Sequence, residues 1–303
     1  MEVGPGDDCA VVRGDGIALS VDLSVEDVHF RRDWLTLEEV GYRATMAALS
    51  DLAAVAARPV GVLTSVAAAG DRGPKEIERL MAGVRRAVET VGGALLGGDV
   101  ARSPGPLLVD VTAIGECPRP VLRSGARPGD ALWVTGTLGG AGAAVRSWLT
   151  GTVPHPEARA AFAAPVARTR EALWLADRAP LHAMIDLSDG LAGDAAHLGA
   201  ASGVRIVIEL DRVPVHMGAR RGEASDDEAL RLALTGGEDY ELCFSAPEER
   251  IEPLRAEFET IFGVPLTRVG YVEEGAGVYG VREGQAAQPL ALTGYGHFEG
   301  ADE

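Results

Sequence analysis

Apolar positions along the 303-residue chain switch repeatedly between two periods. "IALSVDL", from Ile17, alternates apolar and polar residues as a half-buried strand does. From Thr36, "TLEEVGYRATMAALSDLAAVAA" takes up helical spacing, opened by a Thr36/Glu39 capping box and closed before Pro59. "VGVLTSVAAAG" returns to strand. In "GPKEIERLMAGVRRAVETVGG", Pro74 stands in the first turn, Ile77, Leu80, Met81, Val84 and Val88 share one face, and glycines end the helix. "ALLGGDV" and "PLLVDVTAIGEC" are strand-like. The second half repeats the alternation: strand "DALWVTG", helices over "GGAGAAVRSWL" and "TREALWLADRA", strand "AMIDLSDG", helix "LAGDAAHLGAAS" and strand "VRIVIEL". A helix "DDEALRLALTG" with a Ser225/Glu228 capping box then precedes strand "YELCFSA" and a helix around "PLRAEFETIFG". The tail is β-rich, and "EEGAGVYGVREGQ" predicts a glycine-turned hairpin.

This pattern is mixed α/β, and the length suits two domains. The segment "ECPRPVLRSGARPGD", Glu116 to Asp130, is rich in Pro, Gly and Arg and is the expected boundary. It divides the chain into residues 1–118 and 119–303.

Composition narrows the chemistry. Acidic residues outnumber basic ones 45 to 28, a formal net charge of −17, so nucleic acid is a poor partner. Lys75 is the only lysine, and a P-loop, which requires GxxxxGK[ST], is excluded. Cys9, Cys117 and Cys243 are far apart and lack CxxC spacing, which argues against disulfides and zinc and for the cytoplasm. The start "MEVGPGDD" is acidic where a secretory leader would be basic and apolar. The most apolar stretch, Ala44 to Ala69, is broken by Asp51, Arg58 and Pro59, so no membrane span is expected.

Candidate chemistry collects at strand ends. Asp8, of the pair in "GDDCAVV", precedes a strand, with Asp7 the solvated member. Asp22 ends "ALSVD", with Ser20 on the same face. Asp99 follows the glycines of "LLGGD". Asp186 and Ser188 share a face in "MIDLS", and Asp189 opens the next helix, where an N-cap role is equally open. Asp51 lies inside an apolar helix, where a carboxylate costs several kcal/mol unless paired or metal-bound. Oxygen ligands of this kind suit Mg²⁺, and glycines in "GGD" and "SDG" let backbone approach phosphate. An acidic protein without a P-loop lysine binds a polyphosphate if metal ions bridge its carboxylates to the phosphate oxygens.

The motifs "GPGDDCAVV", "SVDLSVEDVHF", "ALSDLAAVAARP", "GGDVARS", "VLRSGARPGDALWVTG", "MIDLSDGLAGDAAHL", "ALTGGEDYELCF" and "GYGHF" occur in the order found in thiamine-monophosphate kinases. The chain resembles that family, within the aminoimidazole ribonucleotide synthetase-related superfamily, over its whole length. The resemblance implies an N-terminal α/β domain that binds ATP and Mg²⁺ and forms a homodimer, with a C-terminal α/β domain closing the site. It implies direct in-line transfer from ATP to thiamine monophosphate, assisted by several Mg²⁺ ions. Another ATP-using synthetase of the superfamily is the alternative. Asp8, Ser20, Val21, Asp22, Asp51, Asp99, Asp186 and Asp189 match metal-binding positions, with Asp22, Asp51 and Asp189 central to catalysis. Gly98, Asp99, Arg123 and Ser188 match nucleotide contacts. His29, Glu238 and Tyr295 match contacts to thiamine phosphate. Two departures stand out: Val21 replaces the usual Thr of "STD", leaving only its carbonyl as a ligand, and Val100 replaces the first Thr of "GGDTT".

Overall fold

The computed structural model describes residues 10–12, 16–69, 73–222 and 225–290. Its first half contains β1 (Ala10–Val12), β2 (Ile17–Val25), α1 (Leu37–Ala54), β3 (Arg58–Ala69), α2 (Pro74–Thr90), β4 (Ala94–Ser103) and β5 (Leu108–Glu116). These strands form one sheet in the order β1-β2-β5-β3-β4. The β3–β4 pair is parallel, as the intervening α2 requires, and the other pairs are antiparallel.

The second half contains β6 (Ala131–Thr135), α3 (Gly140–Leu149), α4 (Pro156–Ala163), α5 (Thr169–Arg178), β7 (Ala183–Asp186), α6 (Leu191–Ser202) and β8 (Arg205–Glu209). It continues with α7 (Met217–Gly222), α8 (Asp226–Thr235), β9 (Leu242–Ala246), α9 (Glu248–Ile251), α10 (Arg255–Phe262), β10 (Leu266–Glu273), β11 (Gly277–Val281) and β12 (Gln288–Pro289). The second sheet has the order β12-β11-β8-β10-β6-β9-β7. The chain is thus a two-unit α/β protein.

Helix α1 joins the two units. Its N-terminus carries the reciprocal capping box, with Thr36 accepting from Glu39 N–H and Glu39 accepting from Thr36 N–H. Fifteen of its 18 residues are buried, so it has no solvent face of its own. It touches α2, β2 and β5 in its own unit and α4, α5 and β7 in the other. One apolar core runs from Leu49, Leu52 and Val111 to Ala144 and Phe162.

Three expectations change. The Ser225 hydroxyl accepts from Glu228 N–H, but the Glu228 carboxylate is held by Arg146 and Arg231, so only half of a capping box forms there. "EEGAGVYGVREGQ" does not fold back on itself, because β10 and β11 flank β8 on opposite sides. The hairpin lies one step later, between β11 and β12. The region around "PLRAEFETIFG" is split into α9, a 3₁₀ turn at Glu252–Leu254 that contains Pro253, and α10.

Candidate active site

A cleft of about 860 Å³ opens between the two units and is lined by residues of both. Strand β2 leads into it. Ser20 and Asp22 alternate with exposed Val21 and Leu23, so they point toward α1 while their neighbours face away. The Ser20 hydroxyl donates to the Asp51 carboxylate on α1. That bond, together with partial exposure to the cleft, answers the desolvation of a carboxylate in so apolar a helix. Burial pushes the Asp22 carboxyl up to about 6, with Glu238 and Asp110 adding to the rise and Arg43 opposing it.

The second unit contributes the end of β7 and the turn after it. Asp186 is buried, Ser188 is half-buried and Asp189 is exposed to the cleft. Gly190 occupies the N-cap position of α6, and Asp194 accepts from Asp189 N–H at 3.0 Å. The Asp189 side chain is therefore not the helix cap.

Facing this turn is the loop "GGEDYE", Gly236 to Glu241, each charged member of which has a defined partner. Glu238 N–H donates to Ser188 O at 2.7 Å and Tyr240 N–H to Leu187 O at 2.9 Å. Gly237 has no room for a side chain, since a Cβ would lie 2.2 Å from Ser188 O. Asp239 accepts from Gly139 N–H at 2.7 Å, at the start of α3. Glu241 is gripped by Arg168 at 2.5 and 2.7 Å and by the Thr135 hydroxyl at 2.7 Å. Glu238 pairs with Arg43 of α1 and faces the cleft.

His29 follows β2. Its Nδ1 accepts from Val25 N–H at 3.1 Å, which leaves the ring proton on Nε2. Beside it, Trp34 and Phe162 line an aromatic wall, with Trp148 stacked on Trp34 at 4.8 Å. Arg146 and Arg231 bring positive charge to the same cleft.

Val21, Asp22, His29, Asp51, Asp186, Ser188, Asp189 and Glu238 thus line one cavity, with Ser20 directly behind Asp51. Gly98, Asp99 and Arg123 do not line it. Asp99 is registered with Ser65, and Ser65 with Asp110, on the sheet face opposite α1. Arg123 lies in the segment between the sheets, its carbonyl accepting from the Ser202 hydroxyl at 3.1 Å. Asp8 and Tyr295 lie outside the described residues.

Arg43, Trp34, Phe162, Arg146 and Arg231 were not anticipated. Arg43 had a signal in the sequence, a cation amid the apolar positions of "VGYRATM"; the others carry no comparable local mark.

The aspartates and Ser188 of the cleft offer oxygen donors, which suit Mg²⁺ better than zinc. Among the described residues, no three acidic, Cys or His side chains converge on one metal position. Mg²⁺ fits such an arrangement, because it takes one or two carboxylates and completes its shell with phosphates and water. Among the described residues, no helix is long and apolar enough to cross a membrane.

Fold and cleft define a two-domain protein of the AIR synthase-related class. Residues 6–117 match the model of the AIR synthase related protein N-terminal domain, and residues 127–282 that of the C-terminal domain. The chain is 33% identical to the thiamine-monophosphate kinase of Rhodopirellula baltica, over 92% of this chain and 86% of that protein. The solved AaThiL complexed with AMPPCP and TMP superposes with a TM-score of 0.84 and 32% identity, over 97% of this chain and 91% of that one. The thiamine-monophosphate kinase of Stenotrophomonas maltophilia superposes with a TM-score of 0.81 and 32% identity, over 94% and 92% of the two chains. The chain belongs to the thiamine-monophosphate kinase family of phosphotransferases.

Proposed function

We propose that this protein transfers the γ-phosphoryl group of ATP directly to thiamine monophosphate, giving thiamine diphosphate and ADP. The observation that carries the reading is the single cleft in which Asp22, Asp51, Asp186 and Asp189 meet His29 and Glu238. The kinship of the whole chain to thiamine-monophosphate kinases supports it.

The acceptor is a phosphate monoester, ionised near neutral pH, so no general base has to remove a proton. The difficulty is repulsion between two anions, about 4 kcal/mol for unit charges 4 Å apart at an effective dielectric of 20. Bound Mg²⁺ ions would neutralise both phosphates and allow them to meet in line. Asp22, Asp51, Asp186 and Asp189 would hold the ions, with Ser20 orienting the Asp51 carboxylate through its hydroxyl. Asp8 and Asp99, with the Val21 carbonyl, complete the proposed metal-binding set. Gly98, Arg123 and Ser188 would contact nucleotide. His29 offers its Nε2 proton to the acceptor, Glu238 a carboxylate oxygen, and Trp34 and Phe162 a surface for a heteroaromatic ring. Tyr295 belongs to the same proposed group.

The reading includes a homodimer. Val21, Leu23 and Leu63 expose apolar side chains on the face of the first sheet opposite α1, between 39% and 65% accessible. Val21 and Leu63 share one line of the register through Thr112. A second copy seated on that face would bury them, next to Gly98 and Asp99. Residues 1–118 are then the nucleotide-binding and dimerisation domain, and residues 119–303 the domain that closes the site. Cys117 and Cys243, free and buried, suit the cytoplasm.

Incubation with ATP, Mg²⁺ and thiamine monophosphate tests the reading. Thiamine diphosphate is expected in equal amount to ADP. Nucleotide turnover with no thiamine diphosphate would overturn it in favour of another ATP-using synthetase of the superfamily.

A further inference from the structure

Glu238 lies in an unusual backbone state. Its φ is +72°, and two residues on Tyr240 has a φ of +51°. Neither is a glycine, and left-handed backbone costs such residues about 1–2 kcal/mol each. A conformation of this kind persists only where its surroundings over-determine it. The bond from Glu238 N–H to Ser188 O fixes the main chain. It leaves the carboxylate free to swing.

Arg43 removes that freedom. Its side chain is 6% exposed and pairs with Glu238, a residue 195 positions away on the other unit. The guanidinium is itself fixed twice more: it donates to Phe162 O at 3.3 Å and sits over the Phe162 ring, 3.9 Å from the centroid. A buried guanidinium left without its carboxylate is strongly unfavourable, so the pair stays closed. The pair uses Oε1 of Glu238, while the residue as a whole faces the cleft.

We propose that Arg43 is a positioning residue for the acceptor site. By clamping one oxygen of Glu238 from behind, it aims the carboxylate at the acceptor and holds the 236–241 loop against the Ser188 turn. The proposal rests on reading the cleft as a thiamine phosphate site. A positioning role predicts an effect on acceptor binding and little on nucleotide binding. A planar fork is also hard to replace, since lysine brings the charge without the second donor to Phe162 O.

The test uses the full chain and the variants Arg43→Met, Arg43→Lys and Glu238→Gln. ATP and thiamine monophosphate are varied separately, and amide hydrogen exchange is followed over residues 236–241. Arg43→Met is expected to raise the acceptor KM about tenfold or more with the ATP KM changed less than about twofold, and to speed exchange in the loop. Arg43→Lys is expected to restore part of both effects. In a Glu238→Gln background, Arg43→Met should add less than about twofold, because the two residues act as one unit. An unchanged acceptor KM, an equal rise in both KM values, or full additivity in the double variant overturns the proposal. If Arg43→Met does not fold, Glu238→Gln loosens the same pair from its cleft side. Faster exchange in that variant supports the clamp, and unchanged exchange overturns it. A wild-type protein that makes no thiamine diphosphate defeats the function reading alone, and the exchange measurement still decides whether Arg43 fixes the loop.

Discussion

Asp51 and Asp239 are both acids at least partly withdrawn from water, yet they are satisfied by different means. Asp51 takes a hydroxyl from Ser20 and opens onto the cleft. Asp51→Asn keeps the volume and removes the charge that a metal ion would need. Turnover at limiting Mg²⁺ should fall by at least about 100-fold, with the thermal midpoint little changed. Wild-type activity in that variant would remove Asp51 from the machinery. Asp239 instead faces the backbone N–H groups at the start of α3. Burial pushes its carboxyl from 3.8 up to about 8, with those N–H groups opposing the rise. Between those values the folded chain keeps a proton that the unfolded chain has released, so stability falls as pH rises from about 4 to about 8. Asp239→Asn stays neutral and should lack this slope. Denaturant titrations at pH 5 and pH 8 should show the wild type losing roughly 1–2 kcal/mol more than the variant, a value below the full linkage because Asp239 is only partly buried.

At the scale of elements, α1 and α2 pack in close contact in the first unit. A Cβ on Gly83 would lie 1.9 Å from Glu38 O, so the helices touch at backbone level. Gly83→Ala should destabilise by about 1–3 kcal/mol, since the helices must move apart, despite the better helix propensity of alanine. A more stable variant by calorimetry would contradict that packing. Much at this scale was legible in the sequence, because the signals are local. The Thr36/Glu39 box, Pro74 in the first turn and the alternation of β2 each act within a few residues, and each element formed as read. Where partners are distant the sequence is silent. Glu228 turned from its cap to Arg146 of α3, and β11 chose β8 over β10, through contacts that no local window contains. The short helix α4 had a local signal in Pro156 and Glu157 that passed unread. The same division holds at the site: the strand-end aspartates are conspicuous in the sequence, while the meeting of Arg43 with Glu238 depends on the packing of two units.

For the whole molecule, the exposed apolar face of the first sheet is the feature most in need of a partner. Leu63→Asp places a charge on that face and should shift the proposed dimer to monomer in light scattering. A protein that is monomeric without the change would discard the dimer. Beneath that face, α1 is a structural member of both units, and its burial has a thermodynamic corollary. Ala53, near its C-terminal end, packs in the same cluster as Trp133 and Phe244 of the second sheet, while Leu49 and Leu52 belong to the core of the first. Neither half can melt and leave the other a finished interior. Scanning calorimetry should record one endotherm whose van't Hoff and calorimetric enthalpies agree, as they do for a single cooperative block, although the sequence divides into two.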